Sequence, residues 1–145
     1  MQAFLDMIAA CEGTAGPDGY RTLFGGKLFD GYVDHPNQRF QFNQTNGTVG
    51  YTTAAGRYQI LYPVWKELKA RLGLVDFTPQ SQDACAVELI RERGALADVE
   101  SGNLQAAIDK CSRIWASLPA STYPQPKRTY AFASEAYTDA GGSLA

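Results

Sequence analysis

The sequence predicts an α+β fold, a mainly helical lobe with a small β-rich lobe, and three observations carry that prediction. The chain opens on an amphipathic helical pattern that runs out at Gly13. From about residue 14 to 53 it turns to Gly, Asn, Thr, Tyr and Phe with repeated turn signals. From Thr53 onward helical patterns return, punctuated by glycine and proline. A length of 145 residues fits one domain, residues 1–145, with the stretch 14–53 as a β-rich insertion. A cleft between the two lobes is the expected place for a site.

Phe4, Leu5, Ile8 and Ala9 repeat at helical spacing, so the first helix is expected over Gln2 to Cys11. In the insertion, Tyr20 to Phe24 and Lys27 to Phe29 flank Gly25-Gly26 as candidate strands, and Arg39 to Phe42 alternates as a third. His35-Pro36-Asn37 and Asn46-Gly47 mark further turns. Ala54 to Leu61 reads as a short helix. Pro63 then starts a longer one through Trp65, Leu68 and Leu72 to a stop at Gly73. Thr78-Pro79 caps the next, which carries Ala84, Val87 and Ile90 and stops at Gly94. Asn103 opens the clearest apolar stripe, Leu104, Ala107, Ile108, Cys111, Ile114 and Trp115, which reads as core. Pro119, Pro124 and Pro126 enforce an irregular segment, and a last helix covers about Thr129 to Ala140 before Gly141-Gly142.

Composition excludes several classes of function. With 45% hydrophobic and 19% charged residues the chain is globular, not disordered. A net charge of −2 without a basic run argues against a nucleic-acid or anionic-membrane surface. No stretch approaches the roughly 20 apolar residues of a membrane span. Asp6 interrupts the N-terminal apolar run, so no export signal is expected and the chain is expected to be made in the cytoplasm. Cys11, Cys85 and Cys111 cannot all pair within one chain, and buried free thiols are expected at Cys85 and Cys111. One histidine and three scattered cysteines make no zinc site, and Gly25-Gly26 lacks the context of a nucleotide loop. No cofactor or metal is implied.

The remaining candidate is Glu12, in the last turn of the first helix. Carbonyls without partners and the negative end of the helix dipole disfavour its ionised form there. Desolvation in a cleft would raise its pKa further, giving the protonated carboxyl a general acid requires. The same pattern also fits a solvated glutamate at a helix end. A Cys11/His35 nucleophile pair has weak support, because His35 stands in a loop-like stretch. Asp18, Asp30 and Asp34 are candidates for a second carboxylate, yet each also reads as a turn former.

Ordered blocks along the chain go further. Ala3-Phe4-Leu5-Asp6-Met7 leads into Glu12-Gly13-Thr14; then come Gly25-Gly26-Lys27-Leu28-Phe29, Asp34-His35-Pro36 and Ala55-Gly56-Arg57-Tyr58-Gln59-Ile60-Leu61. Leu72-Gly73-Leu74, Asp76-Phe77, Ser81-Gln82-Asp83-Ala84, Glu92-Arg93-Gly94-Ala95-Leu96 and Ile114-Trp115-Ala116-Ser117-Leu118-Pro119 follow in order. With these blocks the chain resembles the bacteriophage lambda endolysin family, the lambda-type lytic transglycosylases or lambda lysozymes, over nearly its whole length.

That resemblance implies a lysozyme-like fold and cleavage of peptidoglycan glycan strands, with Glu12 as the single catalytic acid. Glu12 would protonate the oxygen between N-acetylmuramic acid and N-acetylglucosamine, then take the proton of the muramoyl C6 hydroxyl as that oxygen closes on C1. The product is a 1,6-anhydromuramoyl end. Gly56, Tyr58 and Gln59 fall in a segment that lines the sugar cleft in the wider group, and Tyr123 falls where the family has a cleft tyrosine. The family also implies a monomer that waits in the host cytoplasm for holin-type release. Ala15 to Thr22 departs from the family pattern, so subsite contacts in that loop do not carry over; Asn37 to Tyr51 also diverges and is expected to shape the outer lip of the cleft. A hydrolytic muramidase and a catalytically inactive wall-binding domain are the competing readings.

Overall fold

Helix α1 spans Gln2–Glu12 and buries Phe4, Leu5, Met7, Ile8, Ala9 and Cys11. Gly13 ends it in the left-handed conformation at φ 78°, its N–H reaching the Ala9 and Ala10 carbonyls. Glu12 is therefore the last helical residue, as its position before a glycine implies. The computed structural model describes residues 1–145 and divides into two compact units, residues 14–85 and residues 1–13 with 86–145.

In the second of these, α1 packs along α6 (Tyr130–Asp139). Thr129 caps α6 by accepting from the Phe132 N–H. Helix α4 (Leu96–Ser101) and helix α5 (Leu104–Cys111) pack together, and Leu104, Ala107, Ile108 and Cys111 form the buried face of α5. The apolar stripe runs on to Trp115, but the helix stops at Cys111. Ser112 there turns its hydroxyl back onto the Ile108 carbonyl at 2.7 Å, and Ile114 and Trp115 both donate to the Cys111 carbonyl. Trp115 and Leu118 are buried all the same. Helix α4 went unforeseen; at six residues it is too short to show a period.

The unit of residues 14–85 holds the β structure. Strands β1 (Phe40–Asn43) and β2 (Val49–Thr52) pair antiparallel, with Phe40 opposite Thr52 and Asn43 opposite Val49. The segment around Gly25-Gly26 forms a tight turn with a single bridge between Thr22 and Leu28, and Gly19–Arg21 is a 3-10 turn, not a strand. Helix α2 (Tyr62–Leu72) begins at Pro63 in its first turn and ends at a left-handed Gly73. Trp65, Leu68, Phe77, Tyr58, Ile60 and Phe29 make the core of this unit. Helix α3 (Pro79–Glu92) follows Thr78, whose hydroxyl oxygen receives the Ser81 N–H.

Residues Ala54 to Leu61 are not helical. Ala55 pairs with Ile60 around a turn in which Gly56 has φ 83° and Gln59 has φ 48°, conformations an α-helix does not contain. All three cysteines are free and buried, and no helix is long and apolar enough to cross a membrane.

Candidate active site

The Glu12 carboxyl has one direct side-chain partner, the Ser117 hydroxyl, which donates to Oε1 at 2.9 Å. Burial dominates its electrostatics and pushes its pKa from 4.5 to about 7. The Ser117 hydrogen bond and the Arg128 guanidinium act against that rise, because both favour the charged form. Near neutral pH both protonation states are thus populated.

Ser117 and Arg128 belong to one structural group with Glu12. The Arg128 main-chain N–H donates to the Ser117 carbonyl at 2.7 Å, and its Nε donates to the Cys11 carbonyl at 3.4 Å. Reading the sequence missed both residues, since they stand more than 100 positions from Glu12 and only tertiary structure brings them to it. The one sequence signal for Ser117 was its place in the block Ile114 to Pro119.

Tyr123 lies in the proline-rich segment of the same unit. Its ring is 43% exposed while its hydroxyl donates to the Arg113 carbonyl at 2.8 Å. The ring is therefore held by its polar end with a face left open.

Gly56, Tyr58 and Gln59 form the turn of residues 54–61 in the other unit, and they differ sharply in what they offer. A Cβ on Gly56 would stand 2.2 Å from Gln82 Oε1, so the close approach this glycine allows is to Gln82. Tyr58 is fully buried, and its hydroxyl donates to Asp83 at 2.6 Å. Although it stands in the segment that the resemblance places along the cleft, its ring belongs to the core in this structure and has no open face. Gln59 keeps a non-glycine positive φ, and its Nε2 donates to the Thr22 and Gly56 carbonyls at 3.0 and 2.9 Å. Its amide oxygen receives no hydrogen bond among these contacts and remains the acceptor of the turn.

Gln82 is the residue that shapes this turn. It is fully buried, with Oε1 receiving the Arg57 N–H at 3.0 Å and Nε2 donating to the Tyr20 and Phe77 carbonyls. A side-chain amide thus serves where a strand would otherwise supply partners.

Two of the three competing acids, Asp18 and Asp34, are engaged elsewhere, and the cysteine is not activated. Asp34 accepts from Trp65 Nε1 at 2.8 Å and from the His35 N–H and pairs with Lys69; Asp18 pairs with Arg21. His35 is buried with Nδ1 accepting from the Asn37 N–H and Nε2 against the Ile60 carbonyl, a fixed neutral tautomer. Burial pushes the Cys11 thiol up to about 11, the reverse of an activated nucleophile.

Comparison with known proteins places these features in a family. The Endolysin family model matches residues 2–144. The endolysin of Escherichia phage lambda is 42% identical over 149 residues, covering 99% of this chain and 92% of that protein. The endolysin of Escherichia phage P2 is 40% identical, covering 97% and 92%. Among solved structures, bacteriophage lambda lysozyme complexed with a chitohexasaccharide superposes with a TM-score of 0.91 at 41% identity, covering 99% of this chain and 95% of that one. A second structure of lysozyme from bacteriophage lambda gives 0.85 at 40% identity, with the same coverage. With a lysozyme's fold and a carboxyl poised between its two protonation states, the chain belongs to the endolysin family.

Proposed function

We propose that this endolysin is a lytic transglycosylase that cleaves the β-1,4 bond between N-acetylmuramic acid and N-acetylglucosamine in peptidoglycan, with Glu12 as acid and then base. The observation that carries the reading is the Glu12 carboxyl, with its pKa pushed up to about 7. A group that must first give a proton and then take one works best with a pKa near the working pH. The chitohexasaccharide bound by lambda lysozyme supports a glycan as the substrate class.

In the proposed reaction the Glu12 proton passes to the glycosidic oxygen, and the bond from that oxygen to the muramoyl C1 breaks. The N-acetylglucosamine leaves with a free hydroxyl. The muramoyl C6 oxygen then bonds to C1 and its proton returns to the Glu12 carboxylate. No water enters, so the second carboxylate of a hydrolytic glycosidase has no task. That Asp18 and Asp34 are tied into ion pairs agrees with this reading. Ser117 steadies the carboxylate form by its hydrogen bond. The Gln59 amide oxygen and the open face of Tyr123 are the proposed glycan contacts, while Gly56 and Tyr58 build the turn that presents Gln59. We further propose that the enzyme acts as a monomer and waits in the host cytoplasm for a holin-type pore to admit it to the wall.

Mass spectrometry of purified sacculi after digestion tests the chemistry. Transglycosylation leaves anhydromuramoyl ends, one water lighter than the reducing ends a hydrolase leaves. Reducing ends as the main product overturn the mechanism. The Glu12→Gln variant is expected to bind sacculi and lose lysis by about 10²–10⁴-fold, the usual worth of a general acid.

A further inference from the structure

The Arg128 side chain is exposed, yet the residue is held at three points, one by its main chain and two by its side chain. Its main-chain N–H closes onto the Ser117 carbonyl at 2.7 Å, its Nε meets the Cys11 carbonyl at 3.4 Å, and its guanidinium lies 4.6 Å above the Phe132 ring on α6. Cys11 is the penultimate residue of α1, so the guanidinium caps a helix end that otherwise has no basic residue in its last turn. Two consequences meet at one carboxyl. The backbone bond fixes the residue whose hydroxyl reaches Glu12, and the side chain brings a positive charge to the end of the helix that carries Glu12.

We propose that Arg128 is a positioning residue for Glu12: its main chain holds Ser117 at the carboxyl, and its guanidinium is the counter-charge for the carboxylate between the two proton transfers. The inference rests on the proposed use of Glu12 as acid and base. During turnover a negative charge forms at the negative end of a helix dipole, in a buried setting where it is costly. A cation held beside that end lowers the cost without donating to the carboxyl itself. Lysine at 128 keeps the charge and loses the planar fork that spans the Cys11 carbonyl and the Phe132 ring.

The charged and titratable groups nearby are few. Besides burial, Ser117 and Arg128 are the groups that act on Glu12. The neighbouring elements also carry Asp6 on α1, Glu135 and Asp139 on α6, and Arg113 and Lys127 on the connecting segment. The adjacent Cys11 thiol, raised to about 11, stays neutral throughout the working range.

The test is a titration of Glu12 in the substrate-free protein, followed by carboxyl ¹³C NMR, in wild type, Arg128→Met and Arg128→Lys. Arg128→Met is expected to raise the midpoint by roughly half a pH unit, the scale of one solvent-screened charge, with Arg128→Lys returning most of it. The alkaline limb of the lysis–pH profile is expected to move by the same amount. Superimposable midpoints in wild type and Arg128→Met overturn the inference. Should Arg128→Met fail to fold, added salt reads the same contact in the unaltered protein, since it screens an exposed charge and raises the midpoint; a midpoint indifferent to salt overturns it equally. Lysis that survives Glu12→Gln would sink the catalytic reading alone, and the titration would still report whether Arg128 governs the carboxyl.

Discussion

Substituting alanine for Gly56 isolates what Gln82 does for the turn of residues 54–61. Gly56 has φ 83°, and the added Cβ would stand 2.2 Å from Gln82 Oε1, 2.8 Å from its Cδ and 3.2 Å from Phe77 Cε2. The left-handed conformation alone costs about 1–2 kcal/mol with a Cβ present. Overlap with a filled core adds about 1–3 kcal/mol, because Gln82 is fully buried and held by three hydrogen bonds. If Gln82 yields, the Arg57 N–H loses its acceptor, which costs about 1–3 kcal/mol more. The expected loss is about 3–8 kcal/mol, centred near 5, a large part of the roughly 5–15 kcal/mol that holds a domain of this size. Gly73→Ala is the matched control in the same unit: φ is 68° and nothing lies within 4 Å, so about 1–2 kcal/mol is expected. Urea denaturation of the two variants measures the difference, and calorimetry should place Gly56→Ala roughly 10–20 °C below wild type. Equal losses in both variants would refute the steric argument and leave only the backbone term.

Two further outcomes follow from the electrostatics and the burial. The Glu12 pKa is raised on folding from 4.5 to about 7, so its favourable contribution is complete below pH 4.5 and is lost as pH rises through 7. Glu12→Gln cannot ionise, and urea denaturation at pH 4 and pH 8 should show it gaining roughly 2–3 kcal/mol on wild type across that interval; parallel pH dependences would contradict the shift. Tyr58→Phe should cost about 1–2 kcal/mol by leaving Asp83 with the Tyr20 hydroxyl as its remaining tyrosine partner, and should leave the KM for glycan unchanged. A raised KM with unchanged stability would return Tyr58 to the binding surface.

The parts of the fold legible in the sequence are those whose causes are local. Gly13 and Gly73 stop their helices because a left-handed residue is needed there, and Thr129 and Thr78 sit where a hydroxyl satisfies a first-turn N–H. The turn at Ala54 to Leu61 was illegible for the opposite reason. Its apolar spacing suits a helix, but two of its backbone N–H groups find their acceptors far along the chain, Gly56 at the Thr22 carbonyl and Arg57 at Gln82. Strand β2 was likewise hidden, since Val49 to Thr52 carries a glycine and extends only four residues. The candidate site divides along the same line. Glu12 was found because its peculiarity, an acid before a helix-ending glycine, is local. Ser117 and Arg128 were missed because a serine before a leucine or an arginine after a lysine has no meaning until the chain closes on α1. Tyr58 was open to two readings because a tyrosine reads alike on a cleft wall and in a core; its fully buried ring and its bond to Asp83 favour the core.

The three buried thiols carry a consequence for the redox chemistry of the folded chain. Burial holds Cys11 up at about 11 and Cys85 and Cys111 up at about 12. At neutral pH roughly one thiol in ten thousand or fewer is a thiolate, and the thiolate is the form that exchanges with disulfides or meets an oxidant. None of the three is exposed, and each fills core volume as a small apolar side chain. While the chain is folded, its three thiols stay protonated and out of reach of solvent, so they act as small apolar core groups and not as redox groups.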